Sequence, residues 1–116
     1  SLIALAADPS LISNFPRNHL SSYYQTDCSL GVIAMWLIES IRITEKQGYC
    51  NPFGNFSSLI PILNKRNSTE FRYQKNTIKE MNVGNALYVV WWNNVKDTDK
   101  KDACMIDPLE QSDIKW

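Results

Sequence analysis

The nine residues Leu30 to Ile38, LGVIAMWLI, carry no charge, and they restrict what this chain can become more than any other stretch. Val32, Met35, Trp36 and Ile43 recur at helical spacing, while Ile33, Leu37 and Ile41 carry the apolar surface further round the axis. A helix apolar on every side needs other elements around it. The run falls well short of the ~20 residues that cross a bilayer, and Glu39 ends it. The pattern therefore predicts a central helix over about 28–46, capped at Asp27 and stopped by Gly48. Gly31 is the position where a neighbour can approach its backbone closely.

What surrounds that helix reads as more helix. Leu2, Ile3 and Leu5 among alanines form one helical end, and Asp8 followed by Pro9 signals a second short helix that stops before Pro16. Arg17 to Thr26 is a connecting loop, and Tyr49 to Phe56 is rich in turn residues. Ser57 or Ser58 caps a short helix carrying Leu59, Ile60, Ile62 and Leu63, followed by a polar loop from Asn64 to Ser68. The alternation at Phe71 and Tyr73 fits either a short strand or an irregular extended piece. Thr77 caps a last long helix to about Val95, with Ile78, Met81, Val83, Leu87, Val90 and Trp91 as its apolar side. The charged tail beyond Lys96 crosses the surface and docks through Met105, Ile106, Leu109 and Trp116. The fold class is mainly α, a small orthogonal or irregular helical bundle around the central apolar helix, with room for one short strand. At 116 residues this is one domain, 1–116. Its first residue, Ser1, suggests a piece of a longer chain.

Charge and cysteine content remove several classes of function. Twelve Lys and Arg balance twelve Asp and Glu, so no net field draws the protein to nucleic acid or to an anionic membrane. Bases do gather between Lys65 and Lys79, and acids between Asp97 and Asp113, as expected of solvated faces. Cys28, Cys50 and Cys104 do not match zinc-ligand spacing. A Cys28–Cys50 bridge is disfavoured, because the helix between them holds its ends roughly 27 Å apart. The alternatives are Cys50 with Cys104, Cys28 with Cys104, or buried free thiols. The four glycines are too dispersed to cradle a phosphate, and the single histidine, His19, has no motif partner for a triad. No catalytic residue, cofactor or metal follows from these residues. Asn55-Phe56-Ser57 and Asn67-Ser68-Thr69 are formal glycosylation triplets of little weight.

Two places merit attention. Glu39, at the buried side of an apolar helix, must be paired or hydrogen-bonded, and Arg42 is the nearest candidate. A structural pair is the expected reading, and an acid/base or ligand-binding role is the alternative. Trp91 and Trp92 point about 100° apart on their helix, so one of them is partly exposed and available to a partner. Tyr24, beside Tyr23, is a further candidate contact.

The runs YYQTDCSLGVIAMWLIESIR, FSSLIPIL, ALYVVWW and IDPLEQSDIKW, spread over Phe15 to Trp116, resemble an uncharacterised family of Bacteroides-type gut-bacterial exported proteins. The resemblance implies a helical fold and a periplasmic or envelope setting, and it brings no activity or functional residue. The expected function is a non-enzymatic, protein-binding or accessory domain of the bacterial envelope, with Trp92, Trp91, Tyr24, Glu39 and Arg42 as candidate binding residues. The alternatives are an immunity-type inhibitor that covers an enzyme's active site, and a small hydrolase-like enzyme using a carboxylate near Glu39.

Overall fold

A computed structural model describes residues 1–12, 28–48, 63–66 and 78–116. Among them the chain is mainly helical, in the order α1 (Leu2–Leu5), β1 (Leu11–Ile12), β2 (Cys28–Ser29), α2 (Leu30–Gln47), β3 (Asn64–Lys65), α3 (Ile78–Val95), α4 (Lys100–Met105) and β4 (Ile114–Lys115). β1 pairs antiparallel with β2, and β3 with β4, each over two residues.

The apolar run becomes the middle of the structure, as its composition demands. Every residue from Gly31 to Trp36 is buried in α2, and α1, α3 and α4 pack around it. Val32, Ile33, Met35 and Ile38 join Ala6, Leu63, Met81, Tyr88 and Leu109 in one core. Gly48 ends the helix in the left-handed region at φ 73°, where glycine carries no steric cost.

The start of α2 differs from expectation for a traceable reason. Ser29, not Asp27, is the cap, and its Oγ accepts from the Val32 N–H at 3.4 Å. Two further N–H groups that a helix start leaves without partners are taken by an earlier part of the chain. Leu30 N–H donates to the Ser10 carbonyl at 2.7 Å and Gly31 N–H to the Asp8 carbonyl at 2.8 Å. Asp8 and Pro9 therefore do not open a second helix. The Asp8 carboxylate accepts from the Ser10 N–H at 2.8 Å in a local turn, and the chain runs on into β1. The docking works because position 31 lacks a side chain: a Cβ there would stand 2.5 Å from the Ala6 carbonyl oxygen and 2.9 Å from that of Asp8.

α3 has the expected extent, and of its expected apolar side Met81, Leu87 and Trp91 face the core while the rest does not. Met81, Gly84, Tyr88 and Val95 are buried, whereas Ile78, Val83 and Val90 are exposed. Spacings of three, four and seven select one seam, and it runs through Gly84 because Leu63 and Met35 of the core crowd that point. Since Met35 lies opposite Gly84 and Glu39 meets Tyr88, α2 and α3 advance in the same sense past each other.

The tail is more ordered than its charge suggested. Asp99 caps α4 by accepting from the Lys101 N–H at 2.9 Å, and Ala103, Cys104 and Leu109 are buried, while Met105 and Ile106 are exposed. Asn64 and Lys65, expected in a loop, form β3 on the tail's last strand. Arg66 fastens that junction, donating to the carbonyls of Leu109 at 2.6 Å and Ser112 at 3.0 Å. Cys104 is a free, buried thiol, so neither bridge through it forms. The expected elements at 17–26, 49–62 and 67–77 lie outside the described residues, as do His19, Tyr23, Tyr24, the strand at Phe71 and Tyr73, and both glycosylation triplets.

Gly31→Ala tests the docking of α1. Alanine favours the helix by roughly 0.8–1 kcal/mol, but the clash is with backbone oxygens that no rotamer change relieves, at a cost in the upper part of the overpacking range, about 2–3 kcal/mol. Urea unfolding is expected to show a net loss of about 1–2 kcal/mol; a variant as stable as the parent would contradict the close approach.

Candidate functional site

A buried polar knot and an apolar groove lie back to back against α2. The knot is built from residues at helical spacing on α2, Glu39 and Arg42, which the apolar stripe carries into the interior at 3% and 5% exposure. Arg42 faces Glu39 as a fork: Nε donates to Oε2 at 2.9 Å and Nη2 to Oε1. Its remaining nitrogen, Nη1, donates to the Cys104 carbonyl of α4 at 3.0 Å. The Tyr88 hydroxyl of α3 donates to Glu39 Oε2 at 3.0 Å and accepts from the Trp116 indole at 2.8 Å. One carboxylate thus ties three helices and the chain's last side chain together. Among the described residues, no buried side-chain nitrogen or oxygen is left without a partner.

The electrostatics follow from burial. Burial works against the Arg42 charge, but the Glu39 carboxylate more than offsets it and holds the guanidinium protonated beyond its ordinary range. The Tyr88 phenol is pushed well above its ordinary value, first by burial and then by the negative charge of Glu39. Such an arrangement fixes geometry and leaves little for proton transfer. Glu39 has both oxygens engaged, and the cavity beside it is lined by Arg42 rather than by Glu39.

That cavity is a half-open groove of about 370 Å³ between the ends of α2 and α3, with α1 and α4 as its sides. Ile38 and Ile41 come from α2, Trp91, Trp92 and Val95 from α3, and Leu2 and Ile3 from α1. The two adjacent tryptophans divide as their 100° separation requires. Trp91 is partly buried, its indole donating to the Ala103 carbonyl at 3.3 Å and its ring edge-on to Tyr88. Trp92 is 42% exposed at the rim. Cys104 also lines the groove, and burial raises its thiol pKa, which favours the protonated thiol at neutral pH.

Of the candidates read from the sequence, Glu39 and Arg42 meet in the knot, and Trp91 and Trp92 meet at the groove. Tyr24 lies outside the described residues. Sequence reasoning missed Tyr88 and Trp116 in the knot, and Ile38, Ile41 and Val95 in the groove. The i, i+3 spacing of Glu39 and Arg42 was a usable signal; a tyrosine 49 residues away was not. Among the described residues, no group of three metal-binding side chains clusters, and no helix is long and apolar enough to cross a membrane.

Tyr88 gives the knot a pH signature. Above an unfolded phenol pKa of about 10, the unfolded chain releases a proton that the folded chain keeps, so stability is full below that pH and falls as pH rises above it. Urea unfolding at pH 8 and pH 11 is expected to show a smaller alkaline loss for Tyr88→Phe than for the parent. The variant is also expected to be less stable at pH 8 by about 1–3 kcal/mol. Equal alkaline losses in the two proteins would refute the assignment.

Neither a curated protein nor a solved structure matches the chain. A family model does match, over residues 1–116, and the chain therefore belongs to the family described as a domain of unknown function, DUF4943.

Proposed function

We propose that this chain is a non-enzymatic binding domain of the bacterial cell envelope, and that it takes an apolar group of a partner protein into the groove beside Trp92. The observation that carries the reading is the groove itself. It is a recess of about 370 Å³, walled by Ile38, Ile41, Val95 and two indoles, with half of Ile41 and two-fifths of Trp92 open to solvent. Apolar recesses of roughly 300–1,000 Å³ are where small ligands and anchoring side chains are held. A large aromatic at the rim supplies contact area with little loss of rotamer freedom.

The carboxylate chemistry that a hydrolase would need has no support in the same place. Glu39 is held by three hydrogen bonds and lies behind Arg42, so no substrate in the groove reaches it. The acids of the tail, which suggested an inhibitor of the immunity type, partly serve the fold: Asp99 caps α4, and Asp107 accepts from the Leu109 N–H at 2.8 Å. Neither alternative is proposed. The envelope setting and the origin among Bacteroides-type gut bacteria rest on the resemblance of the quoted sequence runs and form part of the proposal.

The uncharged dye N-phenyl-1-naphthylamine, whose fluorescence rises in apolar surroundings, tests the groove directly. The intact chain is expected to bind it at micromolar concentrations. Ile41→Asp, at a half-exposed position that leaves the core intact, is expected to weaken binding by on the order of tenfold. Binding that ignores Ile41→Asp, or no binding by folded protein, would overturn the reading.

A further inference from the structure

The charged side chains that line the groove are all of one sign. Arg42, Lys96 and Lys100 line it, and among the described residues no aspartate or glutamate does. Two of the three cations are already neutralised: Arg42 by Glu39, and Lys100 by Glu45 at 2.7 Å. Lys96 has no ion-pair partner among the described residues, and it stands one residue beyond Val95, where α3 reaches the groove.

Apart from Lys96 and the Ser1 hydroxyl, the polar side chains that line the groove are engaged within the protein, the Thr98 hydroxyl by donating to the Val95 carbonyl at 2.7 Å. The Arg42 guanidinium is engaged by Glu39 and the Cys104 carbonyl, and the Trp91 indole N–H by the Ala103 carbonyl. A polar group pushed into the recess would lose its water and gain no partner, at a cost of a few kcal/mol. The recess therefore suits hydrocarbon, and Lys96 is the lining side-chain cation left without an ion-pair partner among the described residues. Its volume sits at the lower end of small-molecule pockets.

We infer that the groove is a binding site for a single aliphatic chain ending in a carboxylate, with the chain between Ile38, Ile41, Val95 and the indoles and the carboxylate at Lys96. The inference rests on the groove being the binding site, and not on the partner being a protein. It accounts for a hydrocarbon-lined recess whose lining carries one side-chain cation, Lys96, without an ion-pair partner among the described residues.

Dodecanoate and dodecyltrimethylammonium share a chain and differ in head-group sign, so their displacement of N-phenyl-1-naphthylamine from the intact chain, below their micelle concentrations, separates charge from hydrocarbon. Dodecanoate is expected to bind about fivefold more tightly than the cation, the size of effect one partly exposed lysine supplies when attraction is compared with repulsion. Lys96→Glu, at an exposed position, is expected to abolish or reverse that preference while the dye still binds. Equal affinity for the two amphiphiles, or a preference that survives Lys96→Glu, would overturn the carboxylate assignment while leaving the groove as a binding site. Failure of both amphiphiles and of the dye to bind folded protein would remove the groove itself.

Discussion

The arrangement of this domain depends on a single buried carboxylate. Glu39 sits in the wall of a helix otherwise selected for hydrocarbon, and it is tolerable there only because Arg42 and Tyr88 together occupy both its oxygens. Taking an ion pair out of water costs several kcal/mol per ion, so the pair is not a source of large net stability. Its effect is on geometry. The remaining Arg42 nitrogen, Nη1, finds its acceptor only with the Cys104 carbonyl of α4 in place, and Tyr88 reaches Glu39 only with α3 at one register, so the knot selects one packing from the many that oily helices would allow. Trp116 extends that selection to the last residue of the chain.

The groove is a consequence of the same arrangement. Because α2 and α3 advance in the same sense and meet at Met35 with Gly84 and at Glu39 with Tyr88, their later turns carry Ile41, Trp91, Trp92 and Val95 past the knot, where they line the groove together with Ile38. α4 closes one side of that space through Ala103 and Cys104, and α1 the other through Leu2 and Ile3. Most of its wall comes from helices fixed by buried contacts.

Some of this was legible in the sequence. The apolar run had to be central, Gly31 had to mark a close approach, Glu39 needed Arg42, and two adjacent tryptophans could not both be buried; each follows from helix geometry or from the cost of an unpaired charge. Other features depend on residues far apart in the chain. Ser29 became the cap because the carbonyls of Asp8 and Ser10 satisfy the next N–H groups of α2, a contact between segments twenty residues apart. The inward side of α3 is legible only in part: Met81, Leu87 and Trp91 face the core, but hydrophobicity equally favours the exposed Ile78, Val83 and Val90, whereas Gly84 and Tyr88 are selected by space and by a hydrogen bond. Asp99, which starts α4, was a readable cap, but its helix was too short for a periodic signal. The groove had no sequence signature, since its walls come from four helices.

The most direct test of the account is a double-mutant cycle in which Glu39→Met and Arg42→Met are made singly and together, with stability measured by urea unfolding. Each single change leaves a charge without its counter-ion in the core and is expected to cost about 3–5 kcal/mol, whereas the double change removes both charges and is expected to cost far less than the sum. Single changes that cost little, or costs that simply add, would contradict the claim that one buried ion pair sets the packing of this domain.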